Sequence, residues 1–120
     1  MAKIKWFDEP DVKHYEAAQS YLSLIFEKNE ATDMVTNLEV AEMTEFKAKD
    51  IFRASRLPLL KGDNYHVTKN FDKIENGERI YPILLVRGAR QELLHIADGY
   101  HRLCAVYIED EDALIPCKII

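Results

Sequence analysis

Apolar residues recur at helical spacing through the first third of the chain. Pro10 and Asp11 give a helix start signal, because proline is tolerated in the first turn of a helix. One apolar stripe follows, formed by Tyr15, Ala18, Leu22, Ile25 and Phe26. We expect Asn29 and Glu30 to break this helix. A second short helix, capped by Thr32 or Asp33, then carries Met34, Val35 and Leu38.

The middle of the chain alternates between extended and helical signals. The second half of residues 38–46 is interpreted as a strand, and residues 47–55 as a short helix. Pro58 then requires extended backbone before it. A clearer helix begins after Asp63 or Asn64, either of which can cap it. Its predicted buried face consists of Val67, Phe71 and Ile74, and Asn76-Gly77 closes it in left-handed geometry.

The last third predicts a hairpin, a helix and a strand. Pro82 opens the apolar run 83–86, residues 88–92 form a turn, and residues 93–97 form the second strand. A helix from Tyr100 carries Leu103, Ala105, Val106 and Tyr107, and the acidic residues 109–112 end it. Residues 114–119 are a final strand, which Pro116 places at an edge of the sheet. The pattern predicts an α+β domain with a helical N-terminal extension.

Composition narrows the class of protein. The chain has 120 residues and a net charge of −5, which argues against nucleic-acid binding by the molecule as a whole. No apolar run reaches the length of about 18 residues that a membrane span needs, so no membrane association is expected. No apolar segment follows the charged start, so no signal peptide is expected. Two cysteines are too few for a disulfide scaffold or a zinc site, and a cytoplasmic protein with reduced thiols is predicted.

The predicted last helix has cationic residues in its first turn, where the helix dipole favours acidic residues. His101 and Arg102 lie in the first turn of the predicted last helix, directly after Asp98 and Gly99. The N-terminus of a helix carries about half a positive charge, so these cations suit a bound phosphate or carboxylate. The alternative is that Arg102 pairs with Asp98 or with the acidic residues 109–112, while His101 packs against a strand. Spacing alone favours the alternative.

The same residues carry a resemblance to a known family. The segment Asp98-Gly99-Tyr100-His101-Arg102-Leu103-Cys104-Ala105 resembles the D-G-x-H-R-x-x-A motif of the ParB-like nuclease and sulfiredoxin superfamily. It is similar to G-C-H-R of sulfiredoxins and G-[ED]-R-R of ParB. The surrounding strands and helices follow the family's order over residues 40–120, and residues 1–39 form an extension outside it. The resemblance therefore implies a single domain with a small mixed sheet and flanking helices.

The resemblance implies a nucleotide site at this turn. Gly99, His101 and Arg102 would contact phosphates of ATP or CTP together with Mg²⁺, and Tyr100 would shape the pocket or stack on a base. Sulfiredoxins hold their nucleophilic cysteine where this chain has Tyr100, so sulfinic acid reduction is not expected. Cys104, one turn further on, is interpreted as an inert buried residue. Where sulfiredoxins have a phosphate-binding lysine, this chain has His66, a weaker and pH-sensitive cation.

Arg53, Arg56 and Asp98 are further candidate residues of the same site. Arg53 and Arg56 border the nucleotide cleft in the family and would reach a phosphate, or else lie on a solvated face with Asp50 paired to Arg53. Asp98 would bind Mg²⁺, orient His101 as a general base, or cap the following helix. Trp6 and Phe7 either pack on the domain or mark a partner surface.

Three functional classes follow from these residues. The first is a protein that binds a nucleotide or a phosphorylated small molecule, with Asp98 and His101 as catalytic residues if it performs phosphoryl transfer or hydrolyses a nucleotide. The second is a non-catalytic interaction module with a vestigial pocket, whose partner is another protein or a second copy. The third, a DNA-binding protein or nuclease, fits the net charge least.

Overall fold

The computed structural model describes residues 3–88 and 92–120. These residues form five helices: α1 (Val12–Ile25), α2 (Lys28–Val40), α3 (Ala48–Ser55), α4 (Tyr65–Glu75) and α5 (Tyr100–Glu109). They also form six strands: β1 (Lys5–Trp6), β2 (Thr44–Lys47), β3 (Arg79–Ile80), β4 (Ile83–Val86), β5 (His95–Asp98) and β6 (Leu114–Ile119). The α+β class predicted from the sequence is confirmed.

Four strands make one mixed sheet in the order β2-β6-β4-β5. β2 and β6 are antiparallel, β6 and β4 are parallel, and β4 and β5 form the antiparallel pair predicted as a hairpin. Part of the predicted turn at residues 88–92 lies outside the described residues. A separate parallel pair joins β1 to β3 and was not foreseen, because two-residue strands are too short to show a period. It places Trp6 against the core and Phe7 in a stack on Tyr81, with ring centroids 4.1 Å apart.

The central strand β4 is buried on both faces of the sheet. Ile83 and Leu85 belong to the core cluster under α3, α4 and α5, whereas Leu84 and Val86 belong to the cluster under α1 and α2. Because neighbouring residues of a strand point to opposite faces, a strand covered on both sides must be apolar throughout. This arrangement explains the unbroken apolar run in β4, and it holds the N-terminal helices against the sheet.

Strand β6 is not an edge strand, and the prediction made from Pro116 is wrong. β6 lies between β2 and β4. Pro116 pairs with Glu45 of β2, but the ladder between β6 and β4 begins only at Cys117. The proline therefore lies one residue before the doubly paired part of the strand, where a missing N–H group does not interrupt the parallel ladder.

Helix boundaries follow the sequence where a side chain caps them. The Asn64 side chain accepts hydrogen bonds from the backbone N–H groups of His66 (3.0 Å) and Val67 (3.2 Å), so it is the predicted cap of α4. The predicted break at Asn29 and Glu30, and the caps at Thr32 or Asp33, are wrong, because α2 already begins at Lys28. No helix within residues 3–88 and 92–120 combines the length and apolar character needed to cross a membrane.

Candidate functional site

The turn between β5 and α5 depends on a single glycine. Gly99 caps α5 with a left-handed φ of 110°. A Cβ at this position would overlap the Ile83 side chain, lying 2.7 Å from its Cβ and 2.9 Å from a terminal nitrogen of Arg102. Both the backbone conformation and the close approach to β4 therefore require glycine. The result is a fixed geometry for Tyr100, His101 and Arg102.

Arg102 points into the protein and is neutralised there. Its Nη2 lies 2.9 Å from Oδ2 of Asp98 and donates a second hydrogen bond to the carbonyl of Pro82 at 3.2 Å. Only 14% of the Arg102 side chain and 16% of the Asp98 side chain are exposed. Nε of Arg102 is buried and has no acceptor among the described residues. The structure thus agrees with the alternative in which Arg102 pairs with Asp98.

The predicted roles of Asp98 change with this pair. The N-cap of α5 is Gly99, with no capping bond from a side chain, so the proposal that Asp98 caps the helix is wrong. Its carboxylate accepts a hydrogen bond from Arg102. Within the described residues, no group of three or more His, Cys, Asp or Glu side chains could hold a metal ion. The side chains at this turn therefore do not form a Mg²⁺ site by themselves.

The N-terminal helix α1 brings His14 to this buried pair, a residue that the sequence reasoning did not assign to the site. His14 is buried, and its Nδ1 accepts a hydrogen bond from the backbone N–H of Asp11 at 2.9 Å. Burial lowers the pKa of His14, and Arg102 lowers it further, while Asp98 opposes the shift. The i, i+4, i+8 spacing of His14, Ala18 and Leu22 was the signal that could have revealed its burial.

Two histidines from different helices meet beside the N-terminus of α5. His66 lies in the first turn of α4 and His101 in the first turn of α5, and their ring centroids are 5.0 Å apart. We call these two residues the histidine pair. The pKa of His101 is lowered by burial first, and then by His66 and Arg102. His101 is therefore biased towards the neutral imidazole in the absence of an anion.

The two helices that carry the pair differ at their N-termini. Asn64 already occupies the N–H groups of α4, whereas no side chain caps α5. The first-turn N–H groups of α5 thus receive no acceptor from a side chain, as in α2 and α3, and they carry the positive end of the helix dipole. An anion placed beside His101 would accept hydrogen bonds both from this backbone and from an imidazole.

Tyr100 holds the turn to the loop that precedes α4. Its hydroxyl donates a hydrogen bond to the carbonyl of Pro58, and its ring centroid lies 5.7 Å from that of His101. Burial raises the pKa of Tyr100, so the phenol remains protonated. Tyr100 therefore forms one wall beside the histidine pair, and its hydroxyl is engaged elsewhere.

The cysteines lie in the core. Cys104 and Cys117 are buried and form no disulfide. Burial raises the pKa of Cys104, and it raises that of Cys117 to about 12. Because the thiolate is the nucleophile, neither sulfur is reactive at neutral pH. This agrees with the interpretation of Cys104 as an inert residue.

Arg53 and Arg56 line a different part of the molecule from the histidine pair. They line a cavity of about 570 Å³, and none of its lining residues belongs to residues 98–102. Arg53 is exposed and lies 3.4 Å from Asp50, which is the i, i+3 pair expected from the sequence. The structure thus brings His66, Tyr100 and His101 together beside Gly99, and it separates them from the two arginines of α3 and its C-cap.

Comparisons with protein-family models, with curated proteins and with solved structures gave no match.

Proposed function

We propose that the protein binds a phosphate-bearing small molecule, a nucleotide such as ATP or CTP, at the uncapped N-terminus of α5. The observation that carries this proposal is the position of the histidine pair, with ring centroids 5.0 Å apart, beside a helix start that has no side-chain cap. Phosphate groups bind where free backbone N–H groups and the helix dipole combine with cationic side chains. The resemblance of residues 98–105 to the ParB and sulfiredoxin motif supports the same location.

Each residue has a distinct part in this proposal. The N–H groups after Gly99 donate hydrogen bonds to phosphate oxygens, His101 takes up a proton as the anion arrives, and His66 donates a hydrogen bond from its ring. Tyr100 offers the face of its ring to a base. Arg102 acts through position: its pair with Asp98 fixes the turn instead of contacting the ligand.

Catalysis, if it accompanies binding, rests on His101 and not on Asp98. The carboxylate of Asp98 already accepts a hydrogen bond from Arg102, so it is poorly placed to remove a proton from water. His101 is partly exposed, and the imidazolium that forms when the anion binds can donate a proton to the leaving-group oxygen as a general acid. The described side chains do not by themselves form a Mg²⁺ site.

Calorimetric titration tests the proposal. ATP and CTP, each with and without Mg²⁺, are compared with adenosine and cytidine, which lack phosphate. We expect binding of at least one nucleotide and of neither nucleoside. His66→Gln and His101→Gln should each weaken binding by about fivefold or more, on the scale of a lost charge-assisted hydrogen bond. The matched control is His95→Gln on β5, outside the pair, which should leave affinity within about twofold. Equal binding of nucleosides, or the same loss in the control, contradicts the proposal.

A second function, a protein-interaction module, is favoured by one observation on α1. Tyr21, Leu24 and Ile25 are exposed and lie at i, i+3, i+4 spacing, and Leu24 is 86% exposed. An apolar helical face of this kind suits a helical partner or a second copy. Absence of heat with every nucleotide, together with a concentration-dependent mass that Leu24→Asp abolishes, would favour this function.

A further inference from the structure

Three arginines line one cavity to which neither residue of the histidine pair contributes. A cavity of about 570 Å³ opens between α3, the end of β4 and the residues that lead into β5. No residue of α4 and none of residues 98–102 lines this cavity. Its volume falls in the range of about 300–1,000 Å³ typical of small-molecule sites. We call it the arginine cavity.

The interior of the arginine cavity is apolar. Side chains from three strands, from α3 and from the segment before β5 contribute to it: Phe46, Ile51, Leu85, Leu94 and Ile119. Ile51 and Leu85 are members of the main core cluster, and Leu94 packs against it. The backbone N–H of Leu94 also bonds the carbonyl of Ala54 at 3.1 Å, which ties this wall to α3. The apolar lining is therefore held by the fold itself and suits an apolar ring or chain.

Three arginines line the same cavity: Arg53, Arg56 and Arg87. The carboxylates of Asp50 and Glu92 also line it, and Asp50 lies 3.4 Å from Arg53. Within residues 3–88 and 92–120, no carboxylate lies within 4.0 Å of the guanidinium of Arg56 or of Arg87. A guanidinium offers planar, paired donors that match carboxylate and phosphate oxygens. These two arginines are thus available to an oxyanion from outside the described chain.

Backbone geometry holds both arginines at the cavity. Arg56 is the C-cap of α3 with a left-handed φ of 55°, a conformation that favours glycine or asparagine. It is the one residue other than glycine with a positive φ in the described chain. Gly88 follows Arg87, and a Cβ there would lie 2.6 Å from the carbonyl oxygen of Leu93. The two chain segments therefore approach closely next to Arg87, which lines the cavity with Gly88 and Leu93.

We propose that the arginine cavity binds a small organic anion, in which a carboxylate or phosphate lies against Arg56 and Arg87 and an apolar body fills the space over Leu85 and Ile119. The proposal is independent of the histidine pair. It predicts that both halves of the ligand matter: an oxyanion alone and an apolar ring alone bind weakly.

The test uses 1-naphthyl phosphate, 1-naphthoate, inorganic phosphate and 1-naphthol as probes, with the full chain labelled at leucine and isoleucine methyl groups for NMR. We expect 1-naphthyl phosphate, 1-naphthoate or both to bind about tenfold or more tightly than phosphate or naphthol. Methyl shifts should concentrate at Leu85, Leu94 and Ile119. A preference between the two binding groups identifies the anion as phosphate or carboxylate. Equal affinity of naphthol and naphthyl phosphate, or shifts outside the cavity, overturns the proposal.

Matched variants separate this site from others. Arg56→Gln and Arg87→Gln should each weaken the tighter probe by about fivefold. Arg79→Gln, at an exposed arginine of β3 outside the cavity, should have no effect. The double variant His66→Gln, His101→Gln should leave the probe-induced methyl shifts at Leu85, Leu94 and Ile119 unchanged. Loss in that double variant with retention in Arg56→Gln and Arg87→Gln would assign the probe to the histidine pair instead, and would overturn the proposal while supporting the nucleotide site.

Discussion

Asp98 at the end of β5 and Arg102 in the first turn of α5 form an ion pair of 2.9 Å, and both side chains are largely buried. Removal of one partner from a buried pair leaves the other charge desolvated and uncompensated. We therefore expect Asp98→Asn to lower the free energy of unfolding by about 3 kcal/mol. Urea unfolding followed by circular dichroism measures this loss.

The chain provides a matched exposed pair for comparison. Asp50 and Arg53 are likewise an aspartate and an arginine close in sequence, both on α3, but the Arg53 side chain is 86% exposed. Asp50→Asn should change the free energy of unfolding by less than about 1 kcal/mol. Similar losses in Asp98→Asn and Asp50→Asn would show that the Asp98 pair is solvated and does not fix the turn.

Glycine 99 is the second determinant of the turn. Gly99→Ala should destabilise the protein by about 2–4 kcal/mol, because the left-handed φ and the overlap with Ile83 act together. Gly62→Ala is the control, since a Cβ at Gly62 meets nothing within 4 Å and its φ lies outside the left-handed range. It should be neutral or stabilise by up to about 1 kcal/mol. Thermal unfolding of both variants distinguishes these outcomes. Comparable stability of the two would mean that the turn relaxes without loss.

The sequence predicted the helices and strands of this fold better than it predicted which of them lie side by side. Helices α1 and α4 carry clear apolar stripes, and Asn64 is a cap recognisable from its residue type. The order of strands depends on pairing between distant segments, and the rule that confines proline to edges misplaced β6. That rule holds because proline has no N–H group to donate to a ladder. It does not apply to Pro116, which lies one residue before the ladder with β4.

Only part of the site could be predicted from the sequence, again because some of its contacts join distant segments of the chain. The sequence places His101 and Arg102 side by side, but it does not show that one faces outward and the other inward. Asp98 ends β5 and Arg102 lies in the first turn of α5, so the tight turn at Gly99 brings the two side chains together. His14 comes from 84 residues earlier in the chain, and its approach to this pair follows only from the packing of α1 on β5. Local spacing therefore predicted the ion pair, while the long-range contacts required the structure.

The buried His14 makes stability depend on pH. Its folded-state pKa is lowered from the ordinary value of 6.5, mainly by burial, so the unfolded chain binds the proton more readily. The contribution is fully present above about pH 6.5, and it is lost as the pH falls below the unfolded-state value. His101, whose pKa is also lowered, contributes in the same direction.

The variant His14→Gln isolates the contribution of His14 to the pH dependence of the unfolding free energy. We expect the decrease in unfolding free energy between about pH 7.5 and pH 5.5 to be shallower in His14→Gln than in the wild type. Glu16→Gln, at an exposed position of the same helix, should keep the wild-type slope. Urea midpoints across this range measure the slopes, and equal slopes in wild type and His14→Gln would show that His14 is protonated without loss of structure.

Anion binding at the histidine pair should take up protons. In the free protein, burial, His66 and Arg102 lower the pKa of His101, so the imidazole is largely neutral at pH 7. A bound anion favours the imidazolium and raises this pKa, so affinity is strongest below the free-state pKa and is lost as the pH rises through the bound-state pKa. Sulfate is a suitable probe because its charge does not change over this range. We expect its affinity to increase as the pH falls from about 8 to about 6, with heats of binding that depend on the ionisation enthalpy of the buffer. In His101→Gln the increase should be smaller, and a pH-independent affinity in the wild type would mean that sulfate contacts the α5 backbone without the imidazole of His101.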